Sequence, residues 1–190
     1  MICINFNKIS FTKTLIHRRS RRKFSFRKLS INELSALLYF TAGIKEDGSR
    51  FYPSGGGRYP LELYLISLET ELKKGLYHYY PPNHVLEKLI EIKELNFENI
   101  FTPYNQTWVK NAAIIFLVTA IFNRSAIKYG ERAYRLILIE AGHIGQNFYL
   151  VSEALGLNCC AIAGINDVYI EKMLDIDGVK ESLIYACALG

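Results

Sequence analysis

The sequence lacks paired metal or redox cysteines. Its four cysteines, Cys3, Cys159, Cys160 and Cys187, contain no Cys-x-x-Cys, and the vicinal pair is poorly placed to bridge. They read as reduced core residues of a cytoplasmic protein. Long apolar runs are also missing. The longest, residues 112–122, is too short to span a bilayer. The first 16 residues mix Asn, Lys and Thr with apolar residues, so no secretory leader is read there. Neither common phosphate loop is present. No glycine fingerprint follows a strand and opens a helix, and no loop ends in Gly-Lys-Ser/Thr. There is no internal repeat, low-complexity tract or linker. One dense basic cluster exists without a second stripe, which leaves nucleic-acid binding unsupported. His143 has no second spaced His or carboxylate, so no metal is expected.

What is present describes one domain with a real core: 190 residues, half of them apolar, with 13 Tyr and 11 Phe. So much aromatic area fits a large core or a dimer face. A net charge of +5 is mild and draws an anionic partner only weakly. The chain is organised around residues 51–64, where Pro53, Ser54 and three glycines, Gly55, Gly56 and Gly57, lead into leucines 61, 63 and 65. Consecutive glycines are tolerated where backbone turns sharply or lies close to something. The stretch reads as a tight turn, or as a ledge against which a flat ligand presses, feeding a buried strand.

Residues 1–15 read as an N-terminal arm and residues 16–190 as the domain. The basic cluster, His17-Arg18-Arg19-Ser20-Arg21-Arg22-Lys23, is followed at once by Phe24 and Phe26, which tie it to a core. Taken alone, it fits an anion site and a solvated face equally. Ser30 and Glu33 form a capping box that predicts a helix over 31–42, with Gly43 at its C-terminal cap. Strands are predicted over 61–68 and 76–80, as an antiparallel pair around a turn at 72–75. Residues 85–95 read as a short helix or an irregular strand plus helix, and residues 96–110, with Trp108, show no assignable pattern. The apolar run 112–121 predicts a central strand buried on both faces. Residues 124–130 read as a polar break. A 3.6-residue period predicts a helix over 132–155, closed by Gly156. Gly142 and Gly145 inside it cost about 1 kcal/mol each against Ala, so they predict close approach of another element. Residues 158–165 are strand-like, Asp167 caps a helix through Leu174, and residues 182–189 form a last strand. The irregular order of helices and strands indicates α+β rather than doubly wound α/β.

Five pieces of the sequence resemble the SagB-type dehydrogenases of the nitroreductase superfamily. They are Arg18-Arg19-Ser20-Arg21-Arg22, Pro53-Ser54-Gly55-Gly56, Gly75-Leu76-Tyr77-His78-Tyr79, Lys128-Tyr129-Gly130-Glu131-Arg132, and Glu140-Ala141-Gly142-His143-Ile144-Gly145-Gln146-Asn147. They fall in the family's order from about residue 16 to residue 190. The resemblance implies a nitroreductase-like α+β fold, a central mixed or antiparallel sheet flanked by helices, in an intertwined homodimer with FMN at the subunit interface. It implies oxidation of thiazoline or oxazoline rings of a peptide to azoles, with room for a cyclodehydratase complex as partner. The wider superfamily supplies an alternative, a nitroreductase-like reductase of a small acceptor using a nicotinamide donor. A flavin- or nucleic-acid-binding module without turnover is the third reading. Many superfamily members run on to a C-terminal basic residue that contacts the FMN phosphate. This sequence stops at Gly190, so the N-terminal arginines are expected to hold the phosphate with less help.

By the same resemblance, the cofactor-binding residues are Arg18, Arg19, Ser20, Arg22, Pro53, Ser54, Gly55, Gly56, Gln146, Ala163 and Gly164. Arg18 can clamp a phosphate bidentately. Arg19 and Ser20 would reach the ribityl and phosphate region, and Arg22 the N1/O2 edge of the ring. Pro53, Ser54 and Gly55 would come from the partner subunit and lie beside the ring, while Ala163 and Gly164 would offer backbone near N5. Lys128 and Tyr129 are the catalytic pair: a desolvated Lys128 as base, Tyr129 to orient the ring or stabilise charge. On the bare residues that pair also reads as a surface Lys beside a core Tyr. Arg21 and Lys23 read as solvated, and His143 as a buried structural histidine. No metal, nucleic acid or membrane enters this reading.

Overall fold

A computed structural model of the chain describes residues 10–25, 27–101 and 106–190. Cys3, Phe26 and residues 1–9 of the expected arm lie outside the described residues. The first element, α1 (Phe11–His17), is capped by the Ser10 hydroxyl and packs on the long helix introduced below. The helix α2 (Ile31–Ala42) has the predicted bounds, with both halves of the capping box formed between Ser30 and Glu33. Gly43 ends it with an extended φ of −68°. A Cβ there would lie 2.5 Å from the Tyr39 carbonyl, so crowding rather than left-handed backbone demands glycine.

Six strands form one antiparallel sheet: β1 (Leu61–Ser67), β2 (Gly75–Tyr80), β3 (Val85–Glu91), β4 (Ile114–Ile121), β5 (Cys159–Ile162) and β6 (Glu181–Leu189). Their order across the sheet is β3-β2-β1-β4-β6-β5. The predicted central strand, β4, is buried from Ile114 to Ala120 and pairs with β1, Leu65 opposite Phe116, and with β6. Its side chains alternate between two cores, as the period of two requires. Ile114, Phe116 and Val118 meet α2 and the helix α5 (Ala133–Ala154), where Phe116 stacks on Phe148 at 4.6 Å between ring centroids. Ile115 and Leu117 face a second core built with α3 (Phe97–Phe101) and α6 (Asp167–Leu174).

Several expectations are corrected. Of the two readings of residues 85–95, the irregular strand holds for 85–91 and the helix comes only at Phe97, because the free side of β2 supplies a backbone ladder that outweighs the charged pattern. The polar break at 124–130 is mostly a helix, α4 (Asn123–Tyr129), followed by a single 3-10 turn. It shows no apolar period because Ser125 is its one buried residue. The cap of α6 is Asn166, whose Oδ1 accepts the Tyr169 N–H at 3.2 Å. Asp167 is instead the first helical residue, where negative charge suits the helix dipole. His143 is exposed, and Arg21 is ion-paired with Glu153 rather than solvated. Cys159, Cys160 and Cys187 are free and buried, as expected.

Candidate functional site

The sequence-predicted residues gather in two clusters at different heights along α5. In the first, Gly55–Gly57 makes a 3-10 turn with Gly56 and Gly57 at φ of +61° and +65°. Ser54 Oγ accepts the Tyr59 N–H at 2.8 Å and so closes the loop. A Cβ at Gly55 would meet Leu136 of α5 at 3.4 Å. At Gly56 it would collide with the Tyr129 hydroxyl and stand 2.7 Å from Lys128 Nζ. Gly56, Lys128 and Tyr129, distant in sequence, therefore touch within one chain. Lys128 is exposed, its ammonium 5.4 Å from the centroid of the Tyr129 ring. The desolvation expected of it is not supplied by this chain alone.

Beneath the loop lies Glu140, 3% exposed, with Oε1 lacking a partner among the described residues. Burial pushes its carboxyl up to about 7, against the pull of the Ser54 hydroxyl, the Arg50 charge and the Gly55 N–H. Arg50 itself donates to the Tyr52 hydroxyl at 3.1 Å and stacks 4.8 Å from the centroid of Tyr59.

A polar network anchors this cluster to the sheet. Arg124 of α4 pairs with Glu62 of β1 at 2.5 Å and donates to the Tyr59 carbonyl at 3.3 Å. Arg58 returns a bond to the Arg124 carbonyl at 2.7 Å. Glu62 also meets His78 Nε2 at 2.9 Å, and His78 Nδ1 meets Glu87 at 2.9 Å. Burial alone would raise the Glu62 carboxyl, but the His78 and Arg124 contacts win and hold it below the usual carboxylate range. His78 moves the other way, raised chiefly by its bond to Glu62. The helix that carries Lys128 and Tyr129 is thus fixed to β1 through charge-assisted bonds.

The second cluster is the basic segment laid beside β5, where the Arg21 N–H donates to the Cys159 carbonyl at 3.0 Å. Arg18 sits 5.2 Å over the Tyr149 ring, and Ser20 Oγ is 2.9 Å from the Tyr149 hydroxyl. That hydroxyl accepts the Ala161 N–H at 2.9 Å. Arg22 sits 5.6 Å over Trp108. Neither Arg18 nor Arg22 has a carboxylate partner among the described residues. Arg19 is exposed, and its Nη1 donates to the carbonyls of Ile16 and Arg18. Ala163 is exposed and Gly164 half-buried just past β5, and Gln146 is exposed on α5 one turn before Tyr149.

Glu140 and Tyr149 are nine positions apart on α5, a rise of about 14 Å. Pro53, Ser54, Gly55 and Gly56 therefore stand apart from Arg18, Ser20, Arg22, Ala163 and Gly164 within one chain. Glu140 and Tyr149 were not singled out by sequence reasoning. Glu140 had a signal: a charged residue set among the buried Ile137, Ala141 and Ile144 on the inward face of a helix. Tyr149 and Arg124 had none, since their partners are distant in sequence.

Comparison with known proteins places this geometry. A model of the Nitroreductase family matches residues 15–190, and the chain belongs to that family. It is 31% identical over 170 residues to MJ1384 of Methanocaldococcus jannaschii, named as a nitroreductase, covering 88% of this chain and 85% of that protein. It is 30% identical over 157 residues to the microcin B17-processing protein McbC of Escherichia coli, covering 79% of this chain. The match spans 58% of McbC's own length. Among solved structures, the Escherichia coli microcin synthetase McbBCD complex with truncated pro-MccB17 bound superposes with a TM-score of 0.78 at 28% identity, over 98% of this chain and 73% of the matched one. A nitroreductase of Desulfovibrio desulfuricans in complex with FMN shares the fold, with a TM-score of 0.64 at 16% identity over 96% of this chain and 86% of that one.

Proposed function

We propose that the protein is a SagB-type, FMN-dependent dehydrogenase that works as a cytoplasmic homodimer and oxidises azoline rings of a peptide to azoles. The observation that carries this reading is the seating of Lys128 and Tyr129 against Gly56. The residues present fit a flavin. Arg18 and Arg22 are cations without carboxylate partners among the described residues, suited to the phosphate and the ring edge. The loop at Gly55 and Gly56 is drawn against Leu136, Lys128 and Tyr129, and Gly56 stays exposed beside that pair. When bound, FMN would supply the hydride acceptor for azoline oxidation. Lys128 takes the carbon-bound proton, and Tyr129 holds the substrate ring beside it.

The separation of the two clusters along α5 supports a shared site, in which the glycine loop of one subunit faces the basic cluster of the other. A second subunit would also cover Lys128 and give it the low-dielectric surroundings that a neutral amine base needs. The relationship to McbC supports a peptide substrate and a cyclodehydratase partner. The alternative, reduction of a small acceptor with a nicotinamide donor, draws on the fuller coverage of MJ1384.

The test is a spectrum followed by turnover. The purified protein should be yellow, with about one FMN per chain. Arg18→Ala should weaken FMN binding by roughly 1.5–3 kcal/mol, the scale of a charged hydrogen bond. Lys128→Ala should keep FMN and its reduction by dithionite but lose about 10²–10⁴-fold in oxidation of a thiazoline peptide. Equal rates remove Lys128 from the mechanism. A colourless protein that cannot be reconstituted overturns the flavin reading. Nitroaromatic reduction with no azoline turnover moves the assignment to the small-acceptor enzyme.

A further inference from the structure

Among the described residues β5 is an outermost strand of the sheet. Asn158 and Gly190 exchange both backbone bonds, at 2.9 and 3.1 Å. The alternation of an antiparallel ladder then turns the N–H and C=O groups of Cys159 and Ala161 away from β6. An open edge of this kind needs other partners. The Cys159 carbonyl accepts the Arg21 N–H at 3.0 Å, and the Ala161 N–H reaches the Tyr149 hydroxyl at 2.9 Å. That hydroxyl also stands 2.9 Å from Ser20 Oγ, and the Tyr149 ring carries the Arg18 guanidinium 5.2 Å from its centroid. One turn further along α5, Glu153 ion-pairs with Arg21, whose Nη2 donates to the His17 carbonyl at 2.7 Å. One side of α5 thus pins the basic segment, while Arg18 has no carboxylate partner among the described residues.

The direction of these bonds follows from counting protons. Tyr and Ser hydroxyls each carry one proton and accept two bonds. The Ala161 N–H occupies one acceptor position of Tyr149. Burial raises the Tyr149 hydroxyl's pKa, so its proton stays in place for donation. If Tyr149 donates to Ser20, the Ser20 proton is left for a third group. In the reverse direction Ser20 spends that proton on Tyr149. A ligand that only accepts selects the first arrangement, and the Arg18 charge beside it selects an anion.

We propose that Tyr149 is the positioning residue of an anion cradle: it takes the edge N–H of Ala161, gives its proton to Ser20, and leaves Ser20 and Arg18 to hold a phosphate monoester. Stacking engages the flat face of the guanidinium and leaves its N–H rim to the phosphate oxygens. Donors chained in this way strengthen one another. That the phosphate belongs to FMN rests on the flavin reading above; the cradle does not.

The test uses the full chain with FMN, riboflavin and inorganic phosphate as probes. Tyr149→Phe keeps the ring and removes the hydroxyl, and Ser20→Ala removes the last donor. Each should weaken FMN binding about tenfold, the scale of one charged hydrogen bond, and leave riboflavin, which has no phosphate, nearly unchanged. The double variant should lose little beyond either single one, because both act through one chain of bonds. Without flavin, inorganic phosphate should shift the Ala161 amide resonance in wild type and not in Tyr149→Phe. Equal losses of FMN and riboflavin, as general loosening would give, overturn the proposal. So do unchanged FMN affinity in Tyr149→Phe and fully additive losses. Should Tyr149→Phe fail to fold, Ser20→Ala and the wild-type phosphate shift decide. A wild type that binds neither flavin, with phosphate still moving the Ala161 amide, sustains the cradle and overturns the flavin reading. With that amide unmoved as well, both fall.

Discussion

His78 and Glu140 both bind their protons more tightly in the fold than in the free chain, and Glu33 binds its proton less tightly. His78 is raised by Glu62 and Glu87 above its ordinary 6.5. The stability it adds is complete below pH 6.5 and is lost as pH rises through its folded value. Glu140, raised from 4.5 to about 7, has the same sign: its contribution is complete below pH 4.5 and is lost as pH rises to about 7. Glu33 is held at about 2, mainly by its bond from Arg27, with burial opposing. Its stabilisation is present above pH 4.5 and disappears as pH falls toward 2. Melting temperature should therefore peak near pH 4.5, where the Glu33 contribution is gained and the Glu140 contribution is not yet lost, and decline as pH rises from there. His78→Gln and Glu140→Gln should each flatten part of the decline on the alkaline side. Thermal melts from pH 3 to 9 at constant ionic strength check this, and a wild-type melting temperature that climbs from pH 6.5 to 8.5 contradicts it.

Among the elements, α5 carries the most consequence, because it lies on both clusters and on the main core. Its two interior glycines look alike in sequence and differ in the fold. A Cβ at Gly145 would stand 2.6 Å from Tyr185 Cε1 of β6, whereas nothing lies within 4 Å of one at Gly142. The expected close approach is thus real at Gly145 and open at Gly142 within the chain. Gly145→Ala should cost about 1–3 kcal/mol, as overpacking does. Gly142→Ala should add about 1 kcal/mol of helix stability if that face stays free. Urea denaturation of both variants, at several protein concentrations, reads the difference. A destabilised Gly142→Ala would place another chain against that face.

At the scale of the whole molecule, one chain leaves apolar surface uncovered along α4 and α5: Ile127 is 73% exposed, Tyr134 59% and Ile139 52%. Ile127 directly precedes Lys128 in the chain. The homodimer we propose would cover this surface and bury more than about 2,000 Å² in total, as obligate dimers do. Light scattering should give about twice the 21.8 kDa of one chain. A flavin-bound monomer would refute the shared site. No helix among the described residues is long and apolar enough to cross a membrane.

Local chemistry made much of this protein legible in its sequence. The Ser30–Glu33 box defined α2, the 3.6-residue period defined α5, and the run at 112–121 defined the central strand, because each signal is written within a few turns or residues of itself. The family resemblance, carried by short motifs, likewise lies in the sequence. Pairing and packing decided the rest. Residues 85–91 became a strand only because β2 offered an open edge. Residues 123–129 became a helix tied down by Glu62, 62 positions from Arg124. The meeting of Gly56 with Tyr129, and the burial of Glu140 beneath Ser54, join segments about 70–90 residues apart in sequence. No local pattern encodes such contacts, since their energy exists only once the sheet has brought the segments together.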